Sequence, residues 1–263
     1  MNDTDRPPHW TSHNAAAFAL ASVVDAYHLR TPYPFGLAVH LSGLMTPKHG
    51  AVVELGCGTG EISRMLAPHA ERIDAIDISE PMLAKARSMA GGDHPAIRWI
   101  QGAAEDVVLT PPYALAVAGD ALHWMDWDVV LPRVRDALSP GAVLAIVSAV
   151  APEPPWWAGL QEVIRRHSVM QDFVRFDLIG GLAARGLFQT LGEATVAPEP
   201  FDRSVDEYVE SLHATAGMPR ERMGDVSARA FDEAVRRLVE PFADAGVLHL
   251  SGSARVVSGN PAP

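Results

Sequence analysis

Val52-Val53-Glu54-Leu55-Gly56-Cys57-Gly58-Thr59-Gly60-Glu61 is followed, 23 residues after Glu54, by Asp77 in the run Ile73-Asp74-Ala75-Ile76-Asp77-Ile78-Ser79. Val52, Val53 and Leu55 read as the end of a buried parallel strand, where near-continuous apolar runs are the rule. Gly56, Gly58 and Gly60 let the backbone turn tightly and come close to a ligand where a side chain would clash. Asp77 ends a second apolar strand, so its carboxylate stands where it can take both ribose hydroxyls of a nucleoside.

The glycine spacing discriminates between ligands. A dinucleotide loop reads G-x-G-x-x-G and aims a helix N-terminus at a pyrophosphate. This chain reads G-x-G-x-G and places an acid, Glu54, two residues before the first glycine. An acid there suits an ammonium better than a phosphate. The spacing E-L-G-C-G-T-G followed by D-I-S resembles motif I and the next acidic motif of the class I S-adenosylmethionine-dependent methyltransferases. Three further tracts resemble a small-molecule group within that family, similar to the trans-aconitate and ubiquinone-pathway methyltransferases. Tyr27-His28-Leu29-Arg30-Thr31-Pro32-Tyr33-Pro34 is similar to its "Y…RPxYP" loop, and Ala121-Leu122-His123-Trp124 to its "ALHW" tract. Ser139-Pro140-Gly141-Ala142 is similar to its entry into strand five, with Ala142 in place of a second glycine.

The resemblance implies S-adenosylmethionine as cofactor, a ligand with an ammonium, a carboxylate and a sulfonium but no phosphate. It implies the following placements. Glu54 acts near the methionine ammonium. Gly56, Cys57, Gly58 and Gly60 form the loop, in which Cys57 is a small packing residue rather than a nucleophile. Asp77 takes the ribose, Ile78 and Met82 pack on the adenine faces, and Tyr27 closes over the cofactor. For Met82, plain core packing is the competing reading, and for Glu54 a carboxylate capping local backbone. Where relatives read G-D-A-E for adenine, this chain reads Gly102-Ala103-Ala104-Glu105. Ala103 cannot bond the adenine amino group, which leaves the Ala104 N–H and Glu105 for that end.

Asp120, His123 and Trp124 follow the fourth strand, where the transferable methyl points. Gly119-Asp120 departs from the small polar pairs of many relatives. His123 is the candidate catalytic base if the acceptor must lose a proton. Its other reading is a backbone-bonded histidine that shapes the pocket. Trp124 and Trp127 either stack on an acceptor or belong to the core. Trp156 and Trp157 are expected to line a substrate cover, with His167 and His213 as further candidates there.

The alternation of strands and helices implies an α/β fold: a doubly wound, Rossmann-like, seven-stranded and mostly parallel sheet with an antiparallel edge strand and a helical cover over the site. The 263 residues fit one domain. Residues 1–12 read as a flexible tail, 13–150 as the S-adenosylmethionine-binding core with N-terminal covering helices, and 151–263 as covering helices plus the last two strands. Strands are expected at 51–55, 72–77, 96–101, 113–118, 142–150, 187–196 and 247–257. The main helices are expected at 14–28, 36–46, 60–68, 156–169, 176–185, 204–216 and 225–243, with others opening at Ser79 and near Asp126.

The net charge of −11 offers no basic stripe to neutralise phosphates and excludes a nucleic-acid partner. A single cysteine permits no internal disulfide and fits a cytoplasmic, reducing compartment. No run reaches the ~18 apolar residues of a membrane span. Ala15–Val24 lacks a basic n-region and reads as an amphipathic helix rather than a signal core. No H-x-x-x-H, C-x-x-C or carboxylate cluster signals a metal, and no G-x-S-x-G elbow a hydrolase. The Ala, Arg, Gly and Pro bias points to a bacterial source. The resulting expectation is a methyltransferase acting on O, N or C of a small molecule, in keeping with a bacterial specialised metabolite. The alternative is a protein of the same fold that binds the cofactor without transferring methyl, either a cyclase-type enzyme or a binding module. The sequence carries no signal of oligomeric state.

Overall fold

The computed structural model describes residues 6–262. Seven strands form one sheet: β1 (Val52–Leu55), β2 (Ile73–Asp77), β3 (Ile97–Gln101), β4 (Leu115–Gly119), β5 (Leu144–Val150), β6 (Phe188–Ser204) and β7 (Val247–Pro261). Their spatial order is β3-β2-β1-β4-β5-β7-β6. The first five pair in parallel, and β7 runs antiparallel to both β5 and β6. The reversed strand therefore sits one place in from the edge, and β6 forms the edge itself. Strand order changes direction at β1, between β2 and β4. That switch point is where an open α/β sheet leaves a crevice at its carboxyl ends.

Eleven helices are described: α1 (Ser12–Ala15), α2 (Ala21–Ala26), α3 (Gly36–Leu44), α4 (Glu61–Leu66), α5 (Glu80–Ser88), α6 (Trp127–Ala137), α7 (Trp157–His167), α8 (Leu178–Ala184), α9 (Val205–His213), α10 (Arg220–Met223) and α11 (Asp225–Val239). Two apolar layers cover the sheet. One, on Val53, Leu55 and Ile146, includes Trp127, Val130 and Val134 of α6. The other, on Val52, Ile73 and Val117, includes Leu37, Leu41, Ile62 and Leu66 of α3 and α4. Buried on both faces, β4 carries a continuous apolar run, as parallel strands do, and β1 is interrupted only by the buried Glu54.

Four departures from the sequence expectation have local causes. The single helix expected over 14–28 is broken, because Leu20 is extended (φ −76°, ψ 142°). The Phe18 carbonyl instead accepts from Ser79 Oγ at 2.9 Å, which bends the segment over the strand ends. Second, β7 runs four residues past its expected end, to Pro261, because Phe188, Gln189 and Thr190 at the start of β6 pair with Pro261, Asn260 and Gly259. Third, β6 runs eight residues past its expected end, through register shifts at Thr190/Gly192 and Val196/Glu199. Only an edge strand tolerates Pro198 and Pro200 in this way. Fourth, the tail expected over 1–12 is packed where it is described. His9 is buried, and the Trp10 ring meets those of Trp127 at 5.8 Å and Phe176 at 5.0 Å. Residues 1–5 of that tail lie outside the described residues.

α7, between β5 and β6, and α9 and α11, between β6 and β7, build a small core of their own. Trp156, Leu160, Tyr208, Val209, Phe231, Val235 and Val239 pack together there. α9 and α10 of this unit contact α2, so it lies against the N-terminal cover.

Candidate active site

Three positive-φ glycines shape the loop after β1: Gly56 (68°), Gly58 (54°) and Gly60 (72°). Left-handed backbone costs glycine little and other residues about 1–2 kcal/mol. Each glycine also admits a close neighbour. A Cβ on Gly56 would lie 2.5 Å from the Ala121 Cβ, and one on Gly60 would lie 2.2 Å from the Trp99 ring. A Cβ on Gly58 would stand 3.2 Å from Tyr27 Cε1. The structure therefore places Tyr27 over the middle of the loop. Arg30 lies across the Tyr27 ring at 5.1 Å and donates to its hydroxyl at 3.2 Å.

Asp77 ends β2 beside this loop. Its Oδ2 accepts from the Gly58 N–H at 2.7 Å and its Oδ1 from the Ser79 N–H at 2.8 Å. Burial raises its carboxyl above the usual range, and these two N–H groups pull the other way. The carboxylate bridges the loop and the start of α5, and each oxygen keeps a lone pair for a ligand hydroxyl. Ser79 caps α5 by accepting from the Met82 N–H, with Pro81 in the first turn. The Gly102 N–H donates to the Asp77 carbonyl at 3.0 Å, which brings the 102–105 turn against the same strand end.

Asp120 follows β4, on the other side of β1. Its backbone is left-handed (φ 47°), which aspartate tolerates better than most residues. Its Oδ2 accepts from Tyr33 Oη at 3.0 Å and from the Ala149 N–H at 3.1 Å. Burial and the Asp120 charge push the Tyr33 phenol well up. Asp77 and Asp120 thus flank the glycine loop, and both act electrostatically on Tyr27.

His123 sits on the next turn. Its ring contacts Trp10 at 5.3 Å and Trp124 at 4.7 Å, and its carbonyl accepts from Arg6 Nη2 at 2.6 Å. Burial first, then the nearby cations Arg30, His9 and Arg6, lower it to about 4. The imidazole is neutral at physiological pH and weakly basic. Phe18 meets Trp124 at 5.7 Å and Tyr27 at 6.1 Å, closing an aromatic wall from the N-terminal cover.

The other residues singled out from the sequence take the following positions. Glu54 is buried and accepts from Ser63 Oγ, so it caps α4 rather than facing the strand ends. Its neighbour is a helix turn because β1 runs directly into α4 through the loop. The Cys57 side chain packs in the core beside Leu37 and Ile62, and burial drives its thiol well up. Met82 is buried against Val23 and Val24, the core reading, because the bent N-terminal segment covers α5. Glu105 Oε1 accepts from the Asp126 N–H at 2.7 Å, which ties the 102–105 turn to the start of α6. Ala104 is buried beside it, while Ile78 is 68% exposed next to Asp77. Trp127 is core, with its Nε1 donating to the Leu122 carbonyl at 2.9 Å. Trp156 and Trp157 do not line the site: both pack within the apolar unit that α7 forms with α9 and α11. His167 and His213 lie in that unit too, against Phe231.

Sequence reasoning missed Arg30 and Tyr33 as site residues, and Trp10 as a wall. Arg30 and Tyr33 lie in the proline-flanked tract and read there as loop. The only signal for them was their place in the resembled motif. Among the described residues no group of histidine, cysteine and carboxylate side chains has the geometry of a metal site. No described helix is long and apolar enough to cross a membrane.

Known proteins resemble the chain over part of its sequence and over its fold. Residues 52–141 match a family described as a methyltransferase domain. Trans-aconitate 2-methyltransferase of Streptomyces avermitilis is 37% identical over 99 residues, covering 36% of this chain and 37% of that one. The enzyme of the same name from Variovorax paradoxus is 31% identical over 166 residues, covering 55% of this chain and 61% of its own. The chain thus spans about two fifths to three fifths of the length of these relatives. Over the whole fold it is similar to a putative type II methyltransferase from Anaeromyxobacter dehalogenans. That similarity has a TM-score of 0.59 at 23% identity and covers 89% of this chain and 97% of that structure.

Proposed function

We propose that the chain transfers the methyl group of S-adenosylmethionine to O, N or C of a small molecule, in keeping with a bacterial specialised metabolite and a cytoplasmic setting; the match of residues 52–141 to a methyltransferase domain supports this reading. The observation that carries this reading is Asp77. A strand-end carboxylate held by the Gly58 and Ser79 N–H groups faces the crevice at the topological switch point. Two ribose hydroxyls match its remaining acceptor capacity.

The rest of the crevice fits the same ligand. Gly58 offers bare backbone under Tyr27, which a thioether chain can share. Arg30 is a guanidinium whose one side-chain hydrogen bond among the described residues goes to a neutral hydroxyl, so it suits the methionine carboxylate. Ile78, exposed directly after Asp77, offers an apolar side chain to the base. Ala103 leaves the adenine amino group without the usual acid.

The sulfonium supplies an already activated methyl group, so the protein's part is positioning and exclusion of water. The turn after β4 carries that part. His123, Trp124 and Trp10 wall the space next to Asp120, and Phe18 closes it from the N-terminal side. With His123 held near 4, the imidazole is available to accept a hydrogen bond but is a poor match for drawing a proton at pH 7. This arrangement favours acceptors whose nucleophilic atom is already unprotonated at neutral pH.

Calorimetry with S-adenosylhomocysteine tests the reading. Wild type is expected to bind at micromolar or tighter concentration, and Asp77→Asn to bind about 10- to 100-fold more weakly through loss of charge-assisted hydrogen bonds. Equal affinity in the two proteins would sink the ribose assignment.

A further inference from the structure

The N-terminal cover brings Phe18 and Tyr27 to the crevice and is held from two directions. On the sheet side the Phe18 carbonyl accepts from Ser79 Oγ. On the far side α10 grips Ser22, in the first turn of α2. Glu221 Oε1 accepts from the Ser22 N–H at 2.9 Å, and Glu221 Oε2 accepts from Ser22 Oγ. Ser22 Oγ also accepts from the Arg220 N–H at 3.2 Å, and Arg222 Nη2 donates to the His13 carbonyl at 2.7 Å. Three consecutive residues of α10 thus bond the cover, Glu221 from 199 residues away in sequence. α2 needs this outside hold. It is six residues long, too short to persist alone. Leu20 before it offers no side-chain cap, so the Ser22 N–H depends on Glu221 for an acceptor. Val23 and Val24 of α2 rest on Met82, and the chain then leads to Tyr27, whose ring stands by Gly58.

A charge network fixes α10 in its turn. Arg220 Nη1 donates to Asp232 Oδ2 of α11 at 2.9 Å, and its Nη2 donates to Glu210 of α9. Asp232 Oδ1 faces His213 Nε2 at 2.8 Å, and His213 Nδ1 donates to the Met218 carbonyl at 2.7 Å. His213 and Asp232 are both buried. Buried pairs contribute little net stability. This one sits where α9, α10 and α11 meet, so its effect is to set α10 relative to the other two. Partial desolvation opposes the charge on Glu221, and the hydrogen bonds from Ser22 more than offset it, holding the carboxyl below its ordinary value.

We propose that Glu221 is a positioning residue for the crevice: by holding Ser22 it sets where α2 lies, and through α2 where Tyr27 stands over the glycine loop. The proposal rests on the S-adenosylmethionine reading and extends it to a residue that touches neither the loop nor the strand ends. The unit built by α7, α9 and α11 then does more than pack on itself, since α10 transmits its position to the cover. Because Glu221 acts through Tyr27, its influence on the ligand vanishes when the Tyr27 ring is removed.

A mutant cycle separates positioning from plain support. Affinities for S-adenosylhomocysteine by calorimetry, and urea midpoints, are compared for wild type, Glu221→Ala, Glu221→Gln, Ser22→Ala and Tyr27→Ala. Glu221→Ala and Ser22→Ala are also made in the Tyr27→Ala background. Glu221→Ala is expected to bind about 3- to 10-fold more weakly, from the loss of two hydrogen bonds at the protein surface. Glu221→Gln keeps an oxygen for the Ser22 N–H and should stay within about twofold of wild type. Ser22→Ala loses only the hydroxyl contacts and should cost about 2- to 4-fold. In the Tyr27→Ala background both steps should fall below about twofold. The same loss with and without Tyr27, or a lowered urea midpoint with unchanged affinity, overturns the proposal while the cofactor reading stands. Wild type that does not bind S-adenosylhomocysteine overturns both.

Discussion

Glu54 stands two residues before the glycine loop, yet its carboxyl group serves α4 rather than the crevice. Burial raises it from 4.5 to about 8, with the Ser63 hydrogen bonds opposing. The folded chain therefore keeps a proton that the unfolded chain releases at the ordinary carboxyl value. Between about 4.5 and about 8 the native state binds more protons, so this residue makes stability fall as pH rises through that window. Glu54→Gln removes the slope. In urea unfolding at pH 5 and pH 8, wild type should lose at least about 1 kcal/mol more than the variant between the two values. S-adenosylhomocysteine affinity should change little. Parallel behaviour of the two proteins, or a large affinity loss in Glu54→Gln, would return Glu54 to the ligand side. The sequence could not settle this, because an acid at the end of a strand has two directions in which to point. Only the position of Ser63 on the following helix decides between them.

The glycine loop is the element on which the site depends, and its three glycines are required for different reasons. A Cβ on Gly58 would stand 3.2 Å from Tyr27 Cε1, a tight approach but no clash. Gly60 faces Trp99, whose indole is anchored by an Nε1 hydrogen bond to the Gly92 carbonyl at 2.9 Å. Gly58→Ala should cost about 1–2 kcal/mol, the penalty of left-handed backbone. Gly60→Ala adds overpacking against a fixed ring and should cost about 1–3 kcal/mol more. Urea midpoints of the two variants check the order, and Gly58→Ala proving the more damaging would contradict it. The loop was legible as a motif because strand, turn, helix and acid recur at fixed spacing. That Gly60 serves internal packing was not legible, since Trp99 lies 39 residues away and meets it only after β3 pairs with β2.

Across the molecule, the parallel half of the fold follows directly from its apolar runs, and those runs place Asp77 and Asp120 at strand ends on either side of β1. The late hairpin was less legible. β6 alternates polar and apolar residues at a sheet edge, and its prolines disguise the continuation to Ser204. The cover was the least legible part. Trp156 and Trp157 suggested a pocket lining, but aromatic residues near a chain reversal serve equally well as the core of a small unit. Conversely, Trp10 lies in a polar, proline-containing stretch that carried no sign of packing against His123. The residues expected at the strand ends stand together there, and legibility was lowest wherever distant segments fold back over them.

The strand-end arrangement is tested most directly by a crystal structure with S-adenosylhomocysteine. Both ribose hydroxyls should lie within hydrogen-bond distance, about 2.5–3.0 Å, of the Asp77 carboxylate, with the amino-acid end beside Gly56 and Asp120. A nucleoside bound elsewhere, or one bound in this crevice with its ribose away from Asp77, would contradict it.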